Sequence, residues 1–303
     1  MSESTNGTAG LRHEPTSHSY YSQRLRLSYV DWGNPSLPPV LLLHGQRDHA
    51  RSWDWVARRL QDRYHVVAPD LRGHGDSSWS TGSPYAISEY VFDLAPLVHQ
   101  EGLAPFRIVA HSMGAVVALR YAATYPELVD RLVVADGTGE LISRIHRPRS
   151  APDRLRQWIA AQQGVARRNP RRYETLEAMH RRMREANPHL SDEQTRHLVI
   201  HGTKRNEDGT YGWKFDNHVQ NGHLLDPTAD EVDEFWASIT CPVLLLTGTE
   251  SPHVGTFEEP SLVARFKDAR HAFIEGAGHW IHHDQLDRFL DHVVPFLEGT
   301  AHA

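Results

Sequence analysis

Ser112 lies where an apolar run meets a helix-like segment, in the stretch AHSMG at positions 110–114. As a helix cap it would need only the helix, whose first N–H groups a serine hydroxyl can satisfy. As a nucleophile it would need a general base, an acid that orients the base, and an oxyanion hole. A strand, a sharp turn and a helix form the context called a nucleophile elbow. The residues two positions from the serine must be small there, and Ala110 and Gly114 meet that requirement.

The candidate general base is His279, in a loop that follows the last apolar strand pattern. Gly276 and Gly278 make this loop tight and predict an exposed imidazole that can reach back to the serine. His282 and His283 stand at helix-starting positions, and we predict that both are surface residues. The spacing His279-x-x-His282 could bind a metal adventitiously, but we expect no metal site.

The segment VLLLHGQRD predicts a strand followed directly by a loop that can present a backbone N–H group to an oxyanion. Gln46 is the candidate donor, opposite the N–H group of Met113 that follows the serine. Removing one such donor typically lowers the rate about a hundredfold to a thousandfold. We expect Arg47, Asp48 and His49 to surround the entrance to the site. The alternative interpretation of this segment is an ordinary turn after a strand.

These residues need a scaffold, and the order of apolar segments predicts one. Continuous apolar runs in PVLLLHG, YHVVAPD, FRIVAHS and DRLVVADG are typical of parallel strands covered on both faces. The amphipathic segments SWDWVARRLQD, ISEYVFDLAPLVHQEG and GAVVALRYAATYPE between them predict helices. Strands alternating with helices predict a doubly wound, mostly parallel α/β sheet. The pattern breaks after Asp136 and resumes at ITCPVLLLTG.

This interruption divides the chain into three parts. We predict a flexible N-terminal arm over residues 1–20, a core formed by residues 21–137 and 235–303, and a helical cap over residues 138–234. An insertion of this size needs apolar contacts of its own, and some of its aromatic side chains can line a pocket. The candidate wall residues are Trp158, Trp213, Phe215 and Trp280.

Composition narrows the classes of partner. The 303 residues carry a formal charge of -6, although 22 histidines make the charge sensitive to mild acid. There is no basic field of the kind that attracts nucleic acid. The single cysteine, Cys241, cannot form an intrachain disulfide, and no apolar stretch approaches the roughly 20 residues that span a bilayer. We expect a soluble, cytoplasmic protein that binds a small molecule rather than nucleic acid or a membrane. Monomer and homodimer stay equally open.

The segments HGQ, APDLRGHGDSS, AHSMGA and GAGHW, in this order and spacing, resemble the α/β-hydrolase superfamily with a cap domain. The resemblance covers residues 24–137 and 235–298. It implies an eight-stranded sheet with the helical cap inserted after the sixth strand, and a reaction that needs no metal or organic cofactor. Epoxide hydrolases and dehalogenases of the superfamily use an aspartate at the elbow, so Ser112 argues against both.

The resemblance leaves two candidates for the acid that orients the general base. The family usually places an aspartate three residues beyond the glycine that ends the seventh strand, and that position here is Ser251. Glu250 is one residue early, and a shift of one residue in an extended loop points the side chain elsewhere. Some relatives carry the acid after the sixth strand instead, where this chain has Asp136. We predict Asp136 as the acid and keep Glu250 as the alternative.

The resemblance therefore implies a serine hydrolase that cleaves an ester, thioester or lactone of a small, partly apolar substrate through an acyl-enzyme on Ser112. A carbon-carbon bond hydrolase acting on a vinylogous diketone would use the same residues. A member of the fold that binds ligands without turnover is the third possibility, since the usual acid is missing.

Overall fold

The computed structural model describes residues 14–81, 85–138, 150–220, 227–254 and 262–300. Its main sheet has eight strands in the order β1-β2-β4-β3-β5-β6-β9-β10. β1 and β2 form an antiparallel hairpin, β2 pairs antiparallel with β4, and the other pairs are parallel. This arrangement confirms the predicted α/β class and strand number. The strands are β1 (Thr16–Ser22), β2 (Leu25–Asp31), β3 (Pro39–Leu43), β4 (His65–Pro69), β5 (Phe106–His111), β6 (Val129–Ala135), β9 (Val243–Gly248) and β10 (Ala269–Ile274).

Helices flank the sheet and fill the insertion between β6 and β9. The helices are α1 (Asp54–Leu60), α2 (Ile87–Gln100), α3 (Met113–Thr124), α4 (Ala151–Ala166), α5 (Leu176–Ala186), α6 (Asp192–Gly202), α7 (Ala229–Ser238), α8 (Ile281–Asp284) and α9 (Leu286–Glu298). Within the described part of the chain, no helix is both long and apolar enough to cross a bilayer.

The central strands are mostly apolar because both faces of the sheet are covered. Successive side chains of a strand point to opposite faces, and β3 shows this directly. Leu41 and Leu43 pack into one core cluster with α2 and α3, whereas Val40 and Leu42 pack into a second cluster with α1 and α9. All four are at most 1% exposed. The continuous apolar runs of the sequence thus reflect a three-layer α/β/α arrangement.

The inserted segment, described over residues 150–220 and here called the insertion, differs from the all-helical prediction. It contains α4, α5 and α6, but also a two-stranded antiparallel sheet of β7 (Thr203–Arg205) and β8 (Tyr211–Trp213). The predicted boundary at residue 234 also falls inside α7. This helix packs on the core, where Trp236 is 2% exposed, because its apolar face covers α3.

The predicted flexible arm is wrong for its last five residues. β1 begins at Thr16 and pairs in register with β2 from Thr16 opposite Asp31 to Ser22 opposite Leu25. Five of its seven residues are exposed, so the polar sequence masks a strand that lies at the sheet edge. Residues 1–13 lie outside the described part of the chain.

Candidate active site

Ser112 forms the turn between β5 and α3 and does not cap the helix with its side chain. Its φ of 53° and ψ of -118° lie outside the regions that non-glycine residues favour, at a cost of about 1–3 kcal/mol. Gly114 permits this turn, because a Cβ there would lie 2.5 Å from the carbonyl oxygen of His44 and 2.7 Å from that of Leu43. Strain of this kind persists at a position that the surrounding structure holds in place.

The structure brings Ser112, His279 and Asp136 together in one line of hydrogen bonds. The His279 Nε2 atom lies 3.0 Å from Ser112 Oγ, and the His279 Nδ1 atom lies 2.5 Å from Asp136 Oδ2. Asp136 is buried, whereas the side chain of His279 is 29% exposed. With the Nδ1–H group donating to the carboxylate, Nε2 is left to accept the serine hydroxyl proton.

Asp136 reaches this position because the end of β6 runs beside the elbow. Its N–H group donates to the Leu246 carbonyl oxygen at 2.8 Å, and its φ is 51°. The next residue must be glycine, since a Cβ on Gly137 would lie 2.4 Å from the carbonyl oxygen of Ser112. The close approach of the two chain segments thus carries the carboxylate to the imidazole.

Ser251 occupies the position where the family usually has its acid, and it contacts Asp136 instead. Its hydroxyl donates to Asp136 Oδ2 at 2.6 Å, and the residue is 3% exposed. Glu250, the alternative acid, has a side chain that is 56% exposed and lies 4.0 Å from His189 Nδ1. The geometry therefore brings Asp136, and not Glu250, to His279.

The loop after β3 lies against the elbow. A Cβ on Gly45 would meet His111 Nδ1 at 2.9 Å and Ser112 Cβ at 3.2 Å. Gln46 follows, and its side-chain Nε2 donates to the carbonyl oxygen of Val219 at 2.6 Å, so this side chain ties the loop to the insertion. Met113 is the first residue of α3, and the first N–H groups of a helix have no partner within it.

Three expectations about the histidines and the entrance are wrong. His282 and His283 are 1% and 4% exposed, because α8 turns inward and His282 stacks on Trp53 with ring centroids 4.3 Å apart. Burial lowers the pKa of His283 to about 3. Asp48 and His49 are 4% and 5% exposed, so both are buried rather than exposed around an entrance.

Sequence reasoning missed two histidines that touch His279. His111 precedes the serine, and its Nε2 atom lies 2.8 Å from the His279 carbonyl oxygen, which fixes the loop that carries the base. His253 stands edge-on to His279 with ring centroids 5.0 Å apart. The proximity of His111 could have been predicted, because it directly precedes Ser112 in the sequence. His253 lies in the loop after β9, where the sequence has no distinctive pattern.

Among the residues that the structure describes, two groups of side chains have ligand atoms close enough to hold a metal ion, within 4.8 Å of one another. One comprises Asp136, His253 and His279, and a metal there would occupy the nitrogen that contacts the carboxylate. The other comprises Asp48, His111 and His282, all buried. The spacing His279-x-x-His282 suggested that these two histidines could bind one metal ion together. In the structure they belong to different groups.

A cavity of about 880 Å³ lies between the insertion and the loop after β3. Of the four candidate wall residues, Trp213, Phe215 and Trp280 line this cavity, whereas Trp158 is not among its lining residues. Gln46 and Arg47 also line the cavity, so it adjoins the loop that lies against Ser112.

Comparisons with known proteins agree with this architecture. The esterase Rv0045c of Mycobacterium tuberculosis is 30% identical over 273 residues, which cover 90% of this chain and 86% of that protein. The sn-1-specific diacylglycerol lipase ABHD11 of Xenopus laevis is 29% identical over 311 aligned positions, which cover 99% of this chain and 93% of that protein. The crystal structure of the hypothetical protein PA1622 from Pseudomonas aeruginosa superposes with a TM-score of 0.78 at 25% identity. The superposition covers 94% of this chain and 99% of that one. A family model described as the alpha/beta hydrolase family matches residues 40–292, and the chain belongs to that family.

Proposed function

We propose that this protein is a serine hydrolase that cleaves a carboxylic ester, thioester or lactone through an acyl-enzyme on Ser112. Membership of the α/β-hydrolase family, with relatives named as an esterase and a lipase, supports hydrolase activity. The observation that carries the proposal is the His279 imidazole, held between Ser112 Oγ at 3.0 Å and Asp136 Oδ2 at 2.5 Å. Two hydrogen bonds of this kind orient a base toward a nucleophile.

In the proposed reaction, His279 Nε2 takes the hydroxyl proton as Ser112 Oγ attacks the substrate carbonyl carbon. The backbone N–H groups of Gln46 and Met113 donate to the oxyanion of the tetrahedral intermediate. The imidazolium returns its proton to the leaving oxygen or sulfur, and Asp136 stabilises the cation while it exists. Water, activated by the same imidazole, then hydrolyses the acyl-enzyme.

The insertion acts as a cap in this proposal. It covers the cavity beside the oxyanion loop and is tied to the core by buried contacts, among them Tyr85 Oη donating to Asp216 Oδ2 at 2.6 Å. A covered site excludes water and limits the shape of the substrate. The aromatic walls formed by Trp213, Phe215 and Trp280 fit the apolar part of an ester.

A carbon-carbon bond hydrolase is the second candidate. Its vinylogous diketone substrate would need the same three residues, and arginines of the insertion line the cavity where a substrate carboxylate would lie. The non-catalytic alternative is disfavoured, because a ligand-binding protein has no use for a strained serine hydrogen-bonded to an oriented base.

The proposal is tested by reacting the protein with a fluorophosphonate probe and by assaying p-nitrophenyl esters. We expect stoichiometric labelling and ester turnover, both lost in Ser112→Ala and both retained in the control Ser238→Ala at an exposed helix end. Labelling that survives Ser112→Ala would place the nucleophile elsewhere. Turnover of a vinylogous diketone without turnover of aryl esters would favour the second candidate.

A further inference from the structure

The cavity wall is strongly cationic in a protein whose net charge is negative. Six of its lining residues are basic, and no aspartate or glutamate is among them, whereas the whole chain carries a charge of -6. The cationic character of the cavity is therefore local. The basic lining residues are Arg47, Arg168, Arg171, Arg172, Arg182 and Lys204.

Arg47 is the basic residue that adjoins the proposed oxyanion donor. It directly follows Gln46, and its backbone adopts a φ of 63°. Its guanidinium carbon lies 6.0 Å from the centre of the Phe215 ring. In the described part of the chain it forms no ion pair, and partial burial lowers its pKa below the ordinary value for arginine. Arg47 is nevertheless exposed and lines the cavity, so its guanidinium is accessible to a ligand that carries negative charge.

Lys204 presents a second cation in a comparable setting. Its Nζ lies 4.0 Å from the centre of the Trp79 ring, and the lysine makes no ion pair with any residue that the structure describes. An aromatic ring positions a cation without neutralising it. By contrast, Arg172 is paired with Asp208, and Arg182 lies 3.8 Å from Glu185. In the described part of the chain, Arg168 and Arg171 also have no ion pair, but of the six basic lining residues only Arg47 and Lys204 are positioned over aromatic rings.

We propose that the substrate carries a carboxylate or phosphate group, which Arg47 and Lys204 bind in the cavity between the insertion and the loop after β3. The inference rests on the proposed function and names the chemical class of its substrate. The guanidinium group of arginine and the ammonium group of lysine bind such anions, and arginine can do so through two parallel hydrogen bonds. A neutral ester would fill the same cavity and leave both cations without a partner.

The anion can belong to either side of the scissile bond, and two substrate pairs separate these sources. A carboxylate on the acyl chain is tested with p-nitrophenyl hemiglutarate against its neutral methyl ester. A phosphate on the leaving group is tested with butyryl coenzyme A against the butyryl thioester of N-acetylcysteamine. We expect kcat/KM for the charged member of at least one pair to exceed that of the neutral member about tenfold or more.

The variants Arg47→Gln and Lys204→Gln are expected to lower this ratio about tenfold each, mainly through a higher KM. Arg205→Gln is the matched control, because Arg205 neighbours Lys204 in β7 but does not line the cavity. Its ratio should equal that of the wild type. Equal kcat/KM within both pairs, or a preference that survives the double variant, would overturn the inference.

A binding measurement separates failure of this inference from failure of the proposed function. Thermal unfolding of Ser112→Ala is followed with and without glutarate or inorganic phosphate, which requires no turnover. Stabilisation by one anion that is lost in Arg47→Gln supports the anion site even if no ester is cleaved. No stabilisation by either anion, in a protein that cleaves neutral esters, would contradict the anion site and leave the hydrolase proposal intact.

Discussion

The carboxylate of Asp136 receives both of its hydrogen bonds on one oxygen. His279 Nδ1 and Ser251 Oγ lie 2.5 Å and 2.6 Å from Oδ2. The Ser251 hydroxyl therefore contacts the same carboxylate oxygen as the imidazole. Ser251, at the position where the family usually has its acid, thus contacts the candidate acid Asp136.

The first prediction at this scale concerns the identity of the acid. We expect Asp136→Asn to lower kcat several hundredfold or more, because an amide cannot hold the imidazole tautomer that accepts the serine proton. Glu250→Gln should change kcat less than threefold, since Glu250 is exposed and contacts His189. Steady-state assays on a p-nitrophenyl ester measure both. The reverse order of effects would move the acid to the loop after β9.

A second prediction concerns Ser251. Ser251→Ala removes one donor to a charged carboxylate, and we expect kcat to fall about tenfold. Ser251→Thr keeps the hydroxyl and should retain most of the rate. Steady-state assays on a p-nitrophenyl ester measure both variants, and an unchanged rate in Ser251→Ala would show that the contact has no part in positioning.

At the scale of elements, the turn after β6 must pass very close to the elbow. We predict that Gly137→Ala folds but loses at least tenfold in kcat, because its Cβ would overlap the backbone of Ser112 at 2.4 Å. Gly164→Ala in α4 is the matched control, since nothing lies within 4 Å of the added carbon. It should keep full activity and add about 0.5–1 kcal/mol to helix stability. Circular dichroism and ester assays distinguish the outcomes, and a fully active Gly137→Ala would contradict the prediction.

The elements that the sequence predicted are those with enough residues to show a period. β3, β5, β6 and β9 each contain an apolar run of at least three residues that is buried on both faces. By contrast, β7 and β8 have three residues each, too few for an alternation to be visible. β1 was missed because its side chains are mostly exposed, and its strand conformation depends on pairing with β2.

At the scale of the whole molecule, the candidate site was predictable because the carboxyl ends of parallel strands share one edge of the sheet. Residues that follow β3, β5, β6 and β10 must therefore lie near one another at that edge. Gln46, Ser112, Asp136 and His279 follow these four strands. The cationic cavity was not predictable in this way. It depends on how α4, α5 and β7 pack over the core, and no periodicity encodes that packing.

The distribution of histidines gives the molecule an expected response to acid. Six buried histidines have pKa values lowered by burial, including His49 and His283 at about 3 and His74 at about 4. They are neutral in the native state but take up protons on unfolding once the pH is below about 6.5. Stability is therefore lost as the pH falls. The other buried histidines of this group are His44, His111 and His282.

Buried carboxylates oppose this effect in part. Burial raises the pKa of Asp48 to about 7 and of Asp70 to about 6, so both hold a proton in the native state at a pH where the unfolded chain has released it. Burial shifts the pKa values of Asp93 and Asp284 in the same direction. Protonation of these four carboxylates therefore stabilises the native state as the pH falls. Because more histidines take up a proton on unfolding than carboxylates take up on folding, we expect the net free energy of unfolding to decrease in acid.

We predict that the free energy of unfolding, measured with urea at a series of pH values, falls between pH 6.5 and 4. His283→Gln should flatten this dependence by about 1.4 kcal/mol per pH unit between pH 5.5 and 4, because one fewer proton is taken up on unfolding. His99→Gln, at an exposed helix end, is the control and should keep the wild-type slope. A wild-type stability that is constant or rises toward pH 4 would mean that the buried carboxylates outweigh the histidines.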